Sequence, residues 1–549
     1  MSALRLLVRD SDNIAASTDG DLEVLSRDTR LVLLIDGLNE IGEESRDYLL
    51  QLVRRLTEGG CCYVVATDRL GVREWDSVFT RHALLDGLRS SEVERVWRAA
   101  GRNDFSDLPK SVRRALSKPF FLHMALGSGK AGQRLLLADF FQDFFAQHSR
   151  EGLGLASADL DGVATACVLA FADDGSFRTS VFEEAVDQRV LSVLTKTGVW
   201  RGDAIGFGFE HDLWRDFFVA RALAADESLR TYRTLDLVTT FAKSLECLPM
   251  TAEQTPSMQA RDEFIRTIYD WNWPPAGLCA SQQYGLELEE PSAVQAAVVI
   301  MVGEKRFDPI MHTSLRAEEC LRESQLELVA KVLSCKSRND LVALASGLEY
   351  PESWFRDWKY LFAAVDGWVA TADAVRLLEQ HDPILGWTAS SALRRSRLAD
   401  EMQSRVRDIL NNSDAAERVR WRAANTLGAF PCVENVEVLI VALASDPNHW
   451  VRYGAVRALM EIARKSDDQS LRKFLLERLR PVVSDLAHTQ SQGRDRLLRE
   501  LVHSAIAQPR QPDWLSSVGG FLLEVAGSMS ATNRDKYVGL VNAELTRSK

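Results

Sequence analysis

Nowhere in its 549 residues does the chain hold an apolar run long enough to span a bilayer. Even its longest runs, such as AAVVIMV at 296–302, are far short of the ~20 residues that a spanning helix needs. Its first residues, MSALRLLVRDSD, lack the apolar core of an export signal. The eight cysteines are scattered, and the one adjacent pair, Cys61-Cys62, falls inside a strand-like run, so neither a disulfide frame nor a zinc site is indicated. Among the nine histidines there is no nucleophile elbow and no metal-ligand spacing, which puts a hydrolase using His with Ser or Cys last among the function classes. Basic charge is in deficit as well: 66 Lys and Arg stand against 78 Asp and Glu, a net charge of -12. That balance gives no global attraction to phosphate backbones, and nucleic acid is not the expected partner. A reduced, cytoplasmic protein without a membrane segment is expected.

What remains is a folded chain of several domains. Hydrophobic residues make up 46% and charged residues 26%, the balance of a globular protein, at a length where a single core has stopped growing. LVLLI (31–35) and CYVVA (62–66) are short continuous apolar runs of the kind buried in a parallel sheet. Between them, in EESRDYLLQLVRRLTEGG, Leu49, Leu52, Val53 and Leu56 recur at helical spacing before Gly59-Gly60. Strand, helix, strand is a βαβ unit with parallel strands, and it predicts that Asp36 and Thr67-Asp68-Arg69 leave the sheet at one edge. Ligands bind at that edge in open α/β sheets.

An acid held rigidly at the end of a buried strand is suited to a magnesium ion and its waters, which makes Asp36 a candidate metal ligand and catalytic residue. Glu40, beyond a short turn, is the candidate for orienting a water toward a terminal phosphate. Arg69, from the neighbouring strand end, is the candidate charge-assisted donor to that phosphate. The competing reading is that Asp36 caps the following helix.

The segment LVLLIDGLNEI resembles the Walker B segment of NACHT-type NTPases, which belong to the signal-transducing P-loop ATPases. It departs from that pattern at Asn39, where the family usually has an acid, leaving Glu40 alone. VVATDR resembles the family's sensor segment, with Arg69 in the matching place. SKPFFLHMAL is similar to the helical-domain segment whose proline packs near adenine, which would be Pro119. LSVLTKTGVWRGDAIGFGFEHDLWRDFFVARAL (191–223) resembles the winged-helix end, and there His211 matches a histidine near the β-phosphate. The resemblance implies ATP or ADP with Mg2+ as cofactors and Asp36, Glu40, Arg69, Pro119 and His211 around them. Taken without the resemblance, Pro119 is a helix starter, His211 a structural histidine, and Phe209, Trp214, Phe217 and Phe218 a core stripe.

A phosphate loop of the form G-x-x-x-x-G-K-[ST] does not precede Asp36. The lookalike LGSGKAG (126–132) lacks Ser or Thr after Lys130 and follows the sensor segment, so it reads as a loop between helices. The expectation is either that the sequence starts inside the NTPase domain or that this copy has lost its phosphate loop; in both cases half a pocket binds nucleotide weakly, and this chain alone shows little or no ATPase activity.

From about residue 226 helical patterns follow one another. SDAAERVRWRAANTLGAF and SDPNHWVRYGAVRALMEIA repeat at an offset of 32, as between Asp414 and Asp446, Arg420 and Arg452, or Ala423 and Ala455. A weaker copy starts at Asp382. An aspartate before V-R-x-x-A-x-x-x-L resembles the short HEAT repeat, in which the acid starts the second helix and small residues let helices stack. Residues 470–545 read as helical with the repeat phase lost, as in a terminal cap. Trp271, Trp273, Trp354, Trp358 and Trp368 read mainly as helix-packing residues, with a ligand-facing surface as the other option.

The expected fold is mostly α. A partial NACHT NTPase core (1–84) is followed by a helical domain (85–150), a winged-helix domain (151–225), a helical linker leading into a solenoid (226–375) and a HEAT-like α-solenoid (376–549). The function implied is that of a signalling ATPase whose solenoid senses a protein trigger and which forms a homo-oligomer on activation, as in bacterial antiviral defence. The alternative is a HEAT-repeat protein-binding scaffold with a degenerate NTPase remnant.

Overall fold

The structure, a computed structural model, describes residues 31–35, 51, 53–55, 62–66, 88–102, 105–108, 113, 116–127, 137–148, 153–172, 177–203, 206–241, 244–281, 290–308, 311–322, 324, 326–364, 371–396, 400–488, 494–506 and 514–547. It divides the chain into two compact units: 1–222 with 233–247, and 223–232 with 248–549.

The first unit begins with the expected parallel pair. Strands β1 (Leu31–Ile35) and β2 (Cys62–Ala66) run in register from Leu31 opposite Cys62 to Ile35 opposite Ala66. Residues 53–55 between them are helical, and Val53 is buried, as the apolar spacing requires. Asp36, Glu40 and Arg69 lie outside the described residues. The register brings Ile35 and Ala66, the last residues of the two strands, side by side.

Helices α1 (Ser90–Ala99), α2 (Pro119–Gly127), α3 (Leu137–His148), α4 (Ser157–Leu169), α5 (Thr179–Ala185) and α6 (Gln188–Lys196) follow. Leu126 and Gly127 finish α2, and the rest of LGSGKAG lies outside the described residues. Asp187 caps α6 by accepting the N–H groups of Arg189 and Val190. Gly198, at φ +72°, ends that helical stretch in a conformation that side-chain-bearing residues rarely adopt. The chain can then turn at once into the antiparallel hairpin β3 (Trp200–Asp203) and β4 (Gly206–Phe209), followed by α7 (Asp212–Ala225). The core here is built from rings. Phe141 stacks on Phe217 at 4.7 Å and meets Trp214 edge-on at 5.0 Å, while Phe145 contacts Trp214, Phe217 and Phe218. Trp214, Phe217 and Phe218 are buried as expected, and the half-buried Phe209 packs against Trp200.

In the second unit every element among the described residues is helical. Helices α8 (Cys247–Gln254), which starts on the last residue of the first unit, α9 (Met258–Trp271), α10 (Trp273–Ser281), α11 (Ala293–Lys305), α12 (Met311–Arg322), α13 (Glu327–Ser334), α14 (Arg338–Ser346) and α15 (Ser353–Ala363) come first. The apolar run 296–302 lies in α11, buried from Ala293 through Gly303, so it is a core helix started by a Ser292/Gln295 capping box. No helix among the described residues is long and apolar enough to cross a membrane.

A two-layer stack of hairpins then runs to the C-terminal end. Its helices are α16 (Thr371–Leu378), α17 (Pro383–Arg395), α18 (Asp400–Asn411), α19 (Glu417–Leu427), α20 (Val433–Ser445), α21 (His449–Lys465), α22 (Gln469–His488), α23 (Arg494–Ile506), α24 (Trp514–Gly527) and α25 (Ala531–Arg547). One layer is formed by α17, α19, α21, α23 and α25 side by side, and the other by α16, α18, α20, α22 and α24. Small residues set the spacing: a Cβ on Gly428 would lie 2.9 Å from the Cα of Ala458.

One expectation is corrected here. Only Asp382 starts its helix, accepting the N–H of Leu385. Asp446 pairs instead with Arg420 at 2.9 Å in a buried ion pair, with Asn448 taking over the cap of α21, and Asp414 is exposed ahead of a helix capped at Ala416. Past residue 470, where the repeat phase is lost, the stack continues, because buried Leu475, Leu479, Leu498, Leu501, Leu522 and Val525 keep both layers going. Burial needs only apolar character at helical spacing, and that survives after the repeat's specific residues are gone.

Candidate functional site

Two arrangements carry the candidate chemistry, one in each unit. In the first, α2 opens on Pro119, whose fixed φ suits the first helical position, and the residue is exposed. His211 lies two residues past the end of β4, after Glu210. Its Nδ1 accepts the Leu213 N–H at 3.1 Å, which assigns the ring proton to Nε2 in the neutral form and makes the imidazole a cap for α7. The His211 ring lies stacked on Phe120 at 4.4 Å. The residues expected at adenine and at the β-phosphate, far apart in sequence, therefore come from one neighbourhood: His211 rests on the residue next to Pro119. Lys118, on the other side of Pro119, pairs with Glu246 at 2.8 Å.

In the second unit the centre is Asp270, at the end of α9 and 2% exposed. Its Oδ1 accepts the Arg422 guanidinium and the Trp387 indole N–H, each at 2.9 Å, and its Oδ2 accepts the Tyr232 hydroxyl at 2.6 Å. Arg418 lies 3.9 Å from the same carboxylate. Burial first, and then the charge of Asp270, push the Tyr232 hydroxyl well above its ordinary value, so it stays a donor. Arg422 is itself fully buried and also donates to the Gln380 carbonyl at 2.7 Å. Gly386 makes room for it, since a Cβ there would fall 2.1 Å from the guanidinium. A buried charge with this many partners is held tightly, and removing one partner would leave another uncompensated.

This network holds up a row of rings across the stack. Trp387 on α17 meets Trp421 on α19 at 5.2 Å, Trp421 meets Trp450 on α21 at 5.2 Å, and Tyr453 continues the row at 5.5 Å. Trp421 is buried and supports Trp387, Trp450 and Tyr453, which are partly exposed. Charges on the same helices pair with one another: Arg394 grips Glu461 through both carboxylate oxygens, and Arg457, near the Tyr453 ring, lies 3.5 Å from Glu500. A cleft of roughly 470 Å³ is lined by Tyr232, Glu263, Asp270, His381 and Arg418 among others. Partly exposed aromatic residues among self-paired charges suit a protein surface better than a polyanion.

The tryptophans of residues 271–368 read mainly as packing residues. Trp271 and Trp358 are buried, Trp354 lies under the Arg266 guanidinium at 5.2 Å, and Trp368 is outside the described residues. The row is readable in the repeat register: Trp387, Trp421 and Tyr453 are each the fifth residue of their helix, and Trp450 is the second residue of the last one. Among the described residues no cluster of His, Cys, Asp and Glu could hold a metal ion.

Residues 404–489 match the family model for HEAT repeats, which takes in α19, α20, α21 and α22 and the last two thirds of α18. No NACHT or P-loop NTPase family is detected. A search of curated proteins gives no match. The chain thus carries a helical repeat scaffold of the HEAT type in its C-terminal half.

Proposed function

We propose that the chain is a protein-binding scaffold on the NACHT-type plan. Its HEAT-like solenoid takes up a protein trigger along the row Trp387, Trp421, Trp450 and Tyr453, and its N-terminal unit is the switch that the trigger works. The observation that carries the switch half is the stacking of His211 on Phe120 beside Pro119, because the NACHT resemblance requires these two segments to meet. The parallel register of β1 and β2 supports the same reading, since it ends both strands at one edge, immediately before Asp36 and Thr67-Asp68-Arg69.

On this reading Asp36 holds Mg2+, Glu40 orients a water, Arg69 takes a phosphate, and Pro119 and His211 face the nucleotide. ATP or ADP with Mg2+ supplies the charge that such a pocket discriminates. A ligand shifts a two-state switch only through contacts that differ between the states. Trigger binding in the solenoid and nucleotide state in the first unit jointly favour an open form that assembles into a homo-oligomer. The setting is cytoplasmic, in bacterial antiviral defence.

Photoaffinity labelling tests the pocket. Illumination of the purified chain with an azido-ADP and Mg2+ is expected to label peptides within 117–127 or 206–213, and His211→Ala is expected to reduce that labelling. Labelling spread over the whole chain, or unchanged in the variant, would overturn the assignment. A second reading is favoured by the detection of HEAT repeats without any NTPase family: a scaffold that binds its partner with no nucleotide chemistry. It predicts no labelling at all, with partner binding retained.

A further inference from the structure

The end of the first unit is fastened by an arrangement that packing does not require. Asp216, on α7, is 1% exposed. Its Oδ2 accepts the hydroxyl proton of Ser244 at 2.5 Å, while its Oδ1 makes no hydrogen bond and lies 3.5 Å from Nη2 of Arg215. The Ser244 hydroxyl also accepts the Glu246 N–H at 3.3 Å, and the Ser244 N–H donates to the Thr239 carbonyl at 3.1 Å. One side chain thus shapes the turn 244–246 and anchors it to α7. Lys118 fastens the same turn through Glu246. The chain passes into the second unit immediately beyond, after Cys247.

We propose that the turn Ser244–Glu246 is a latch whose hold on α7 is set by the charge on Asp216: fast when that carboxyl is neutral, primed to release when it is ionised. A buried carboxylate with one oxygen lacking a hydrogen bond is costly when charged, and water regained on opening removes that cost. The groups facing Asp216 are mixed. On α7, Arg215 favours the charged form and Asp212 opposes it. On the turn, Ser244 favours it and Glu246, paired with Lys118, opposes it. Cys167 of α4 and Cys247 lie close to Arg215, and burial pushes the Cys167 thiol far up, so that group stays neutral. Burial is the largest influence on Asp216 and pushes it up to about 6. Opening returns it toward the ordinary carboxylate range and so releases a proton, which means that release is favoured as pH rises through about 6 and suppressed below it. The latch gives the proposed switch a point of control, but its existence does not depend on nucleotide or trigger binding.

Hydrogen exchange on the full chain between pH 5 and pH 8, corrected for the intrinsic rate, tests it at the amides of Ser244 and Glu246. Their protection in the parent protein is expected to fall about tenfold across that range, a fraction of what a two-unit shift allows. Asp216→Asn should stay at or above the parent's pH 5 level with no dependence on pH, and Ser244→Ala should lose protection at every pH while the helical content is unchanged. A flat profile in the parent protein, an Asn variant that follows the parent, or a protected Ser244→Ala would each overturn the proposal. These amides report on the turn alone, so a failed nucleotide-labelling experiment leaves this result readable.

Discussion

Around Phe141 the first unit packs ring against ring, whereas around Asp270 the second unit gathers donors from distant helices onto one carboxylate. Ring packing buries a large apolar area within a few helices, in stacked and edge-on pairs. A stack of hairpins has the opposite problem: each contacts mainly its neighbours, so many slightly slipped arrangements are nearly as good. Asp270 answers that by linking α9 to Arg422, 152 positions away, and to Trp387, 117 positions away. A buried ionic network stabilises little in itself, and fixing which helices lie side by side is the use it serves here.

The comparison breaks first if the two cores do not respond separately. Asp270→Ala leaves Arg422 buried and unpaired, and is expected to cost about 3–5 kcal/mol. Phe217→Ala opens a cavity in the ring cluster at a similar cost of about 3–5 kcal/mol. Urea unfolding should show each variant shifting a different transition. A single transition moved equally by both would mean that the units do not unfold independently.

A smaller effect probes the repeat interface. A Cβ at Gly454 would lie 2.3 Å from the Trp421 ring, so Gly454→Ala should cost about 1–3 kcal/mol and lower the thermal midpoint. No change in the midpoint would show that the aromatic row is loosely held. In the first unit Asp216 makes the contrast depend on pH. Its folded value is raised, so the stability it contributes is fully present below the unfolded value near 3.8 and is lost as pH rises through about 6. Asp216→Asn is therefore expected to gain about 1–2 kcal/mol over the parent protein at pH 7.5 and almost nothing at pH 4, within the bound that the shift sets. An equal effect at both pH values would contradict the assignment. At the small end, Val441→Asp on the exposed side of α20 should change stability by less than about 0.5 kcal/mol. A larger loss would mean that this layer is covered.

Much of this was legible in the sequence, for physical reasons. The parallel strands are announced by continuous apolar runs, and the stack by an aspartate followed by V-R-x-x-A-x-x-x-L, because both patterns are local. The Asp270 network is not local, and nothing around residue 270 announces a partner at 422. Asp446 carries the same letter as Asp382 but faces Arg420, so a shared motif position hid two different roles. In the candidate pocket, Pro119 and His211 were found through family resemblance, while Phe120, the residue joining them, looks in sequence like any core aromatic.

If the aromatic row of the solenoid receives a protein partner, a photo-crosslinking amino acid placed in turn on each layer of the same hairpin will capture that partner from one layer alone. Substituted at Tyr453, on the row, it should give one defined adduct in cells, which Trp450→Ala abolishes; at Val441, on the opposite layer, it should give none. An adduct from position 441 without one from 453, or none at 453 in cells where the protein is active, would contradict the account.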